Sequence, residues 1–311
     1  MTRINRLPYR YTVFGLIVES ELEIPELPSS NELKSDVHIY FSNLQAMKHE
    51  IDPDQFYRLE EERFILDVPK VARYQVSSGK QIDVDPETGS TIESVKLFLL
   101  GSCMGVLLHQ RSILPMHGSV ITDGKTGILL TGHSGAGKST TAHHFLAKGY
   151  RLITDDVAAT RFTDTEAIVA PAYGHQKLWE DVLQSSNIEY KRVNREVDGR
   201  TKYTVNREQQ FLNSSVPLRL IVELIPAEVE HLKNETVTGI EKIRTLMSHM
   251  YRNVYFKELK QEATQFQMAT ELARRVRVIR IYRPHGMATQ EAIIALITKE
   301  IQQGENVYVT H

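Results

Sequence analysis

Residues 132–139 read Gly-His-Ser-Gly-Ala-Gly-Lys-Ser and fit the spacing G-x-x-x-x-G-K-[ST] of a phosphate-binding loop, or P-loop. In such a loop the lysine contacts the β- and γ-phosphates of a nucleotide, and the hydroxyl of the next residue binds Mg²⁺. We therefore assign these two roles to Lys138 and Ser139. The residues expected to bind the nucleotide are Gly132, Ser134, Gly135, Ala136, Gly137, Lys138, Ser139 and Thr140.

The alternative is a glycine-rich turn without function, and the flanking sequence argues against it. Residues 128–130 form a short apolar run that is typical of a buried strand. After Lys138, apolar residues recur at helical spacing until Lys148-Gly149 ends the pattern. The glycines therefore lie between a strand and a helix N-terminus, where backbone N–H groups and the helix dipole attract an anion.

An acidic pair, Asp155 and Asp156, follows the next apolar stretch after the P-loop helix. The order strand, P-loop, helix, strand places both carboxylates at a strand end, where ligands bind in α/β sheets. Adjacent carboxylates there suit two tasks, holding Mg²⁺ and accepting a proton from an attacking hydroxyl. A turn with two solvated acids is the alternative, and the nearby P-loop favours the functional interpretation.

Two further residues have chemical potential. His117 precedes the strand that leads into the P-loop, and a histidine near a carboxylate base biases its protonation or carries a proton. Trp179, the only tryptophan, either stacks on a base or packs half-buried, and packing is the more common use. His143 and His144 are expected to face solvent or packing, and no histidine pair has convincing metal-ligand spacing.

The N-terminal third predicts a small β-rich region. Residues 9–18 and 37–41 predict strands, and three more follow at short spacing within residues 63–84 as an antiparallel meander. Residues 91–110 predict a helix, whose apolar part is too short to span a bilayer and contains glycines, so we expect it to be buried. We expect domains at 1–90 and 91–311, the first a candidate acceptor-binding region.

The C-terminal half predicts alternating strands and helices. Strands are expected at 167–169, 218–225 and 276–282, and helices at 177–183, 241–250, 262–275 and 289–301. Residues 184–210 are polar and charged with little periodicity, which is typical of a lid, a binding loop or a disordered segment.

Composition excludes several classes. Lys and Arg number 37 against 39 Asp and Glu, so the net charge of −2 gives no electrostatic case for a nucleic-acid partner. Cys103 is the only cysteine, so no intrachain disulfide is possible, and a cytoplasmic location fits. The N-terminus lacks the apolar core of a signal peptide, and we expect no membrane association.

Three segments together resemble the catalytic domain of HPr kinase/phosphorylase, a family that phosphorylates a protein serine with a P-loop. They are His117-Gly118, residues 132–139, and residues 149–156, which end in Leu-Ile-Thr-Asp-Asp. The resemblance is clear over about residues 112–160 and weaker over 165–285. It implies an α/β P-loop kinase domain of the HPr kinase C-terminal type, a mixed sheet with flanking helices, preceded by the small, mainly antiparallel β region.

The same resemblance implies roles for individual residues. It makes Asp155 the base toward the acceptor serine and His117 its partner. It places Asp156 near the metal and makes Ser139 a metal ligand. ATP and Mg²⁺ are the implied cofactors, and a peptide or protein with a serine is the implied partner. It leaves open whether the protein forms a homo-oligomer, whether it uses ATP or GTP, and whether it catalyses phosphorolysis.

The chain also departs from that family. Thr140 stands where the family usually has an acidic residue, and Pro171–Trp179 replaces the glycine-rich signature linked to phosphorylase activity. The first 100 residues do not resemble the family's own N-terminal domain. Residues 11–20 and 114–119 are more similar to the short HPr-kinase-like lasso peptide precursor kinases, which modify the C-terminal serine of a precursor peptide.

The leading hypothesis is therefore an ATP-dependent serine kinase whose N-terminal sheet helps to hold a peptide. A kinase for a small-molecule hydroxyl on the same scaffold is the second hypothesis. A regulatory module that binds a nucleotide without transferring its phosphate is the third. The presence of both His117 and Asp155 argues against the third, because a sensor needs neither.

Overall fold

The computed structural model describes residues 7–52, 54–184, 190–197, 200–257, 262–285 and 289–308. The chain divides into two compact units, Met1–Pro115 with Met250–Gln265 and Met116–His249 with Phe266–His311. The first unit thus extends past the boundary expected near residue 90 and includes the apolar helical stretch that follows. This stretch belongs there because its apolar side chains are buried in that unit.

The first unit contains a seven-stranded sheet. Its strands are β1 Tyr9–Val13, β2 Leu16–Ser20, β3 Val37–Phe41, β4 Tyr57–Leu59, β5 Arg63–Val68, β6 Ala72–Ser77 and β7 Gln81–Pro86, in the order β1-β2-β3-β7-β6-β5-β4. The predicted meander β5-β6-β7 is antiparallel, whereas β3 pairs with β2 and β7 in parallel. The single strand predicted over 9–18 is instead a hairpin, because Phe14 and Gly15 both adopt positive φ and turn the chain.

The predicted helix over 91–110 is present as α1 Ile92–Phe98 and α2 Met104–Gln110, joined by a π-helical turn at Leu99–Cys103. Among the described residues this is the one stretch with the length and hydropathy of a membrane span, and 61% of it lies buried inside the protein. Its glycines have a packing role: a Cβ on Gly105 would lie 2.8 Å from the Tyr251 ring. The stretch therefore packs as a core helix of the first unit.

The second unit is built on a nine-stranded mixed sheet. Its strands are β8 Leu114–His117, β9 Ser119–Thr122, β10 Gly127–Thr131, β11 Arg151–Thr154, β12 Val157–Phe162, β13 Ala167–Ala170, β17 Val216–Ala227, β18 Lys233–Thr236 and β19 Arg277–Pro284. Strands β10, β17 and β19 are parallel neighbours, and β9 separates β10 from β11 with antiparallel pairing. The carboxyl ends of β10, β11 and β19 therefore point toward the same edge of the sheet.

A second sheet of three strands corrects two predictions. Its strands are β14 His175–Trp179, β15 Tyr190–Val197 and β16 Arg200–Asn206, in the order β14-β16-β15. The helix expected over 177–183 begins only at α4, Glu180–Gln184. The loop or lid expected over 184–210 contains the β15–β16 hairpin, with residues 185–189 and 198–199 outside the described part. Tyr203 and Val205 hold β16 in place because they pack with Leu178 in a small apolar cluster.

The remaining helices are α3 Lys138–Ala147, α5 Gly239–Ser248, α6 Asn253–Lys257, α7 Glu262–Arg275 and α8 Gln290–Tyr308. Helix α3 packs on the main sheet through Phe145 and Leu146, which join Leu130, Val222 and Ile297 in the core. This burial fixes the axis of α3, and hence its N-terminus, against the end of β10.

Candidate active site

The P-loop links β10 to α3 in a conformation that requires glycine. Gly132, Gly135 and Gly137 have φ values of 141°, 81° and 101°, in the region that L side chains rarely adopt. A Cβ on Gly132 would also lie only 2.5 Å from the carbonyl oxygen of Leu224. Helix α3 begins at Lys138 directly after Gly137. The predicted arrangement of strand, glycine loop and helix N-terminus is therefore present.

Two cations brace this loop. The Lys138 ammonium donates to the carbonyl oxygens of Gly132 (2.8 Å) and His133 (3.0 Å), so the side chain lies back across the loop. From the end of β19, the Arg283 guanidinium donates to Ala136 O at 2.9 Å and Gly135 O at 3.2 Å. Sequence reasoning missed Arg283, because it lies 147 residues from its partner.

Asp155 lies at the end of β11 and its carboxylate accepts three hydrogen bonds. Oδ1 accepts from the hydroxyls of Ser119 (2.5 Å) and Ser139 (3.3 Å), and Oδ2 accepts from the Lys177 main-chain N–H (2.9 Å). Burial raises the pKa of Asp155, and the bonds from Lys177 and Ser119 oppose that rise. The carboxylate is therefore held in place and joined directly to the residue expected to bind Mg²⁺.

Asp156 occupies a different environment. Its backbone has a φ of 85°, which is unusual for a residue other than glycine. Its Oδ2 lies 3.1 Å from the Lys177 ammonium and its Oδ1 lies 3.4 Å from His117 Nδ1. The main-chain carbonyl of Asp156 accepts from Gly118 N at 3.2 Å. Contacts on both sides thus hold a strained turn whose carboxylate faces two basic groups.

His117 contacts Asp156, the neighbour of the base expected as its partner. Its Nδ1 lies 3.1 Å from the Asp156 carbonyl oxygen, which only accepts, so Nδ1 carries a proton. Burial lowers the pKa of His117, and the Asp156 charge opposes that fall. The main-chain N–H of His117 donates to His249 O at 2.8 Å. His117 therefore sits beside the acidic pair, one residue along from the predicted contact.

A buried polar chain supports the first turn of α3. Gln176 is fully buried on β14 and donates from Nε2 to Ser139 O at 3.0 Å. Arg207 donates from Nε to Gln176 Oε1 (3.1 Å) and from Nη2 to His143 Nδ1 (2.6 Å). Because His143 Nδ1 accepts from a cation, this ring is neutral, and burial lowers its pKa to about 4. His143 thus has a structural contact, as expected of a packing residue.

The P-loop, His117, Lys177 and the acidic pair line one cavity of about 440 Å³. It brings together most of the predicted site residues, namely His117, Ser134, Gly135, Gly137, Lys138, Ser139, Thr140, Asp155 and Asp156. Gly132 and Ala136 do not line it, and Ala136 is buried. Trp179 does line it, and so do residues that sequence reasoning did not select, among them Ser119, Lys177, Arg283, Gln290 and Ile293. His144, expected at the surface or in packing, lines it too.

The oxygen donors of the cavity fit Mg²⁺. This ion prefers oxygen ligands and usually combines one or two carboxylates with substrate phosphates. Ser139 and the acidic pair supply a hydroxyl and carboxylate oxygens at one wall of the cavity. Within the described residues no group of three or more His, Cys, Asp or Glu side chains forms a cage for a metal. The described side chains thus offer a partial set of oxygen ligands for Mg²⁺.

Comparison with known proteins finds similarity to HPr kinase/phosphorylase. Residues 110–183 match the model of the HPr Serine kinase C-terminal domain. Among characterised proteins, HPr kinase/phosphorylase of Clostridium botulinum is 47% identical over 49 residues, which cover 16% of each chain. HPr kinase/phosphorylase of Latilactobacillus sakei is 36% identical over 89 residues, 28% of each chain. That of Listeria monocytogenes is 31% identical over 106 residues, which cover 33% of this chain and 32% of the relative.

The solved structure of the Hpr(Ser) kinase/phosphatase from Coxiella burnetii superposes with a TM-score of 0.36 and 14% identity, covering 63% of this chain and 96% of that chain. The sequence matches span less than a third of the curated relatives' length. Residues 110–183 are thus similar to the HPr Serine kinase C-terminal domain and have its fold. The predicted fold class is thus confirmed.

Proposed function

We propose that this protein is an ATP-dependent kinase that phosphorylates a serine hydroxyl of a peptide or protein. The main support for this proposal is that the P-loop and the acidic pair line the same cavity. There Ser139 Oγ lies 3.3 Å from Asp155 Oδ1. A nucleotide held by the loop would present its terminal phosphate toward these carboxylates. The relation to HPr kinase/phosphorylase supports the same reaction class.

In this mechanism Asp155 accepts the proton of the acceptor serine. The serine oxygen forms a bond to the γ-phosphorus, the bond from that phosphorus to the β–γ bridging oxygen breaks, and ADP leaves. Phosphoryl transfer depends mainly on positioning and on offsetting charge, so a well-held carboxylate and lysine suffice. The bond from Ser119 supports this role for Asp155, because its Oδ1 already accepts a hydrogen bond from a serine hydroxyl.

The other residues act around this step. Lys138 would leave the carbonyl oxygens of the loop and donate to the β- and γ-phosphates. His117 and Lys177 flank Asp156 and hold its carboxylate toward the cavity. Mg²⁺ bound by the oxygens of Ser139 and Asp156 would offset the charge of the phosphate groups.

Intact-mass measurement tests the proposal. The protein is incubated with ATP, Mg²⁺ and serine peptides, with matched Ser→Ala peptides as controls and a panel of small hydroxyl compounds in parallel. We expect serine peptides alone to gain one phosphate group. Transfer only to small hydroxyl compounds would indicate a small-molecule kinase. ATP binding without any transfer would indicate a regulatory module, and either result would contradict the proposal.

We also propose a narrower acceptor, the C-terminal serine of a lasso peptide precursor, on the sequence similarity of residues 11–20 and 114–119. The peptide panel includes one sequence with its serine at the free C-terminus, the same sequence as the amide, and one with two residues added after the serine. Preference for the free C-terminal serine supports the narrower acceptor. Equal transfer to all three would overturn it while leaving the serine kinase intact.

A further inference from the structure

We propose that Lys177 is a positioning residue for the acidic pair, its main-chain N–H holding Asp155 and its ammonium holding Asp156. The inference rests on the proposed function, and it assigns a role to a residue in the segment 171–179, where the chain departs from the family pattern. Both contacts are short: Lys177 N lies 2.9 Å from Asp155 Oδ2, and Lys177 Nζ lies 3.1 Å from Asp156 Oδ2. One residue therefore contacts both carboxylates.

The position of Lys177 is fixed by strand β14. Its neighbours Gln176 and Leu178 are buried, at 0% and 1% exposure, and point to the opposite face of the strand from Lys177. Gln176 is tied to Ser139 O and to Arg207, and Leu178 packs with Val205. The backbone of Lys177 is therefore anchored on both sides, and its side chain lines the cavity.

Electrostatics explain why a permanent cation is needed at this point. Asp155 and Asp156 are adjacent groups of like charge, so a nearby cation favours holding both in the charged form. Lys138 lies on the loop carbonyls and is assigned to the phosphates. Lys177 places its ammonium 3.1 Å from Asp156 Oδ2 and so supplies a positive charge beside the pair.

The contact between Lys177 and Asp156 also stabilises an unfavourable backbone conformation of Asp156. A φ of 85° at a non-glycine residue is unfavourable and persists only when surrounding contacts hold it. The ammonium of Lys177 and the ring of His117 hold the side chain of this residue from two directions. Without the ammonium, we expect the carboxylate to turn away from Asp155 and the turn at 155–156 to loosen.

The experiment compares Lys177→Met, Lys177→Arg and a matched control, Lys125→Met, which removes a lysine from an exposed turn. Methionine keeps most of the side-chain length without the charge, and arginine keeps the charge. We expect Lys177→Met to lower kcat about tenfold or more while the KM and the Kd for ATP change little, because the P-loop is untouched. Lys177→Arg should recover most of kcat, and Lys125→Met should match wild type. Equal melting temperatures establish that the variants are folded.

Hydrogen exchange of a peptide spanning residues 151–160 gives a readout that does not depend on activity. We expect faster exchange there in Lys177→Met, and wild-type exchange in Lys177→Arg and Lys125→Met. Wild-type kcat or wild-type exchange in Lys177→Met would overturn the positioning role. An inactive wild-type protein would instead contradict the proposed function, and the exchange result would then decide the positioning role alone.

Discussion

The two adjacent carboxylates of this site differ because their surroundings differ. Asp155 is partly buried and accepts bonds from two serine hydroxyls and a backbone N–H. Asp156 faces a histidine and a lysine across a strained turn. Burial favours the protonated form of Asp155, whereas its hydrogen bonds favour the charged form. This balance suits a group that must take up a proton during the reaction and release it afterwards.

Lys138→Ala tests the P-loop at the same scale. We expect the variant to lose both nucleotide affinity and transfer, the latter by about a hundredfold or more, because a charged donor to the phosphates is removed. The fold should survive, since Lys138 is partly exposed and its removal opens no cavity. Calorimetry with ATP and an intact-mass transfer assay measure the two effects. A normal turnover rate in a folded variant would rule out the P-loop interpretation.

At the scale of elements, the sequence predicted the arrangement around the P-loop but not the sheet beside it. The run 128–130, the glycines and the helical spacing after Lys138 are local signals, and β10, the loop and α3 follow them. Strands β15 and β16 carry mostly polar residues, so their pattern resembled a loop. Among their described side chains, Tyr203 and Val205 pack in the small apolar cluster with Leu178. Two apolar residues are too few to predict a strand from the sequence.

Gln176→Leu tests the link between that sheet and α3. Leucine is similar in size to glutamine but removes the hydrogen-bond partner of the Ser139 carbonyl and of the Arg207 guanidinium. Arg207 is itself buried. Leaving such groups unpaired costs about 1–3 kcal/mol of unfolding free energy. We expect a loss of that size in urea denaturation, with weaker ATP binding because the first turn of α3 shifts.

The control for this variant is Gln267→Leu, which changes an exposed glutamine on α7. It should have nearly wild-type stability and affinity. Wild-type stability in Gln176→Leu as well would show that the buried chain does not support the helix.

For the molecule as a whole, the boundaries of the two units were harder to predict than the helices and strands within them. The helical stretch 92–110 was expected in the second domain, 91–311, whereas it is part of the first unit. Residues 250–265 belong to the first unit, although residues 116–249 of the second unit come before them in the chain. Local sequence patterns do not predict that a later segment joins an earlier unit. Arg283 and Lys177 were not predicted as site residues for the same reason, because contacts between residues distant in sequence make them part of the site. His117 and the acidic pair were selected because their spacing from the P-loop resembles that of HPr kinase/phosphorylase.

Each unit contains a partly buried histidine whose lowered pKa makes stability depend on pH. Burial lowers the pKa of His109 in the first unit and of His143 in the second to about 4, against 6.5 unperturbed. Below pH 6.5 the unfolded chain binds protons that the folded chain does not, so the free energy of unfolding falls as pH falls toward 4. The slope approaches about 1.4 kcal/mol per pH unit for each histidine.

Urea denaturation at pH 7.5, 6.0 and 5.0 measures this dependence above the range where most carboxylates titrate. We expect a progressive loss of stability in wild type and a shallower loss in His143→Gln, whose side chain still accepts a hydrogen bond from Arg207. Stability that stays constant from pH 7.5 to 5.0 would show that these histidines are not buried in the neutral form.

The Asp155→Asn variant tests whether this cavity transfers a phosphoryl group with Asp155 as the base. The amide keeps the shape of the side chain but cannot take the serine proton. ATP affinity by calorimetry and peptide phosphorylation by intact mass are measured on the same preparation, with Asp156→Asn in parallel. We predict that Asp155→Asn binds ATP nearly as well as wild type and loses transfer by about 10²–10⁴-fold. Transfer at a near wild-type rate would contradict the account, because the base would then lie elsewhere, with Asp156 the next candidate.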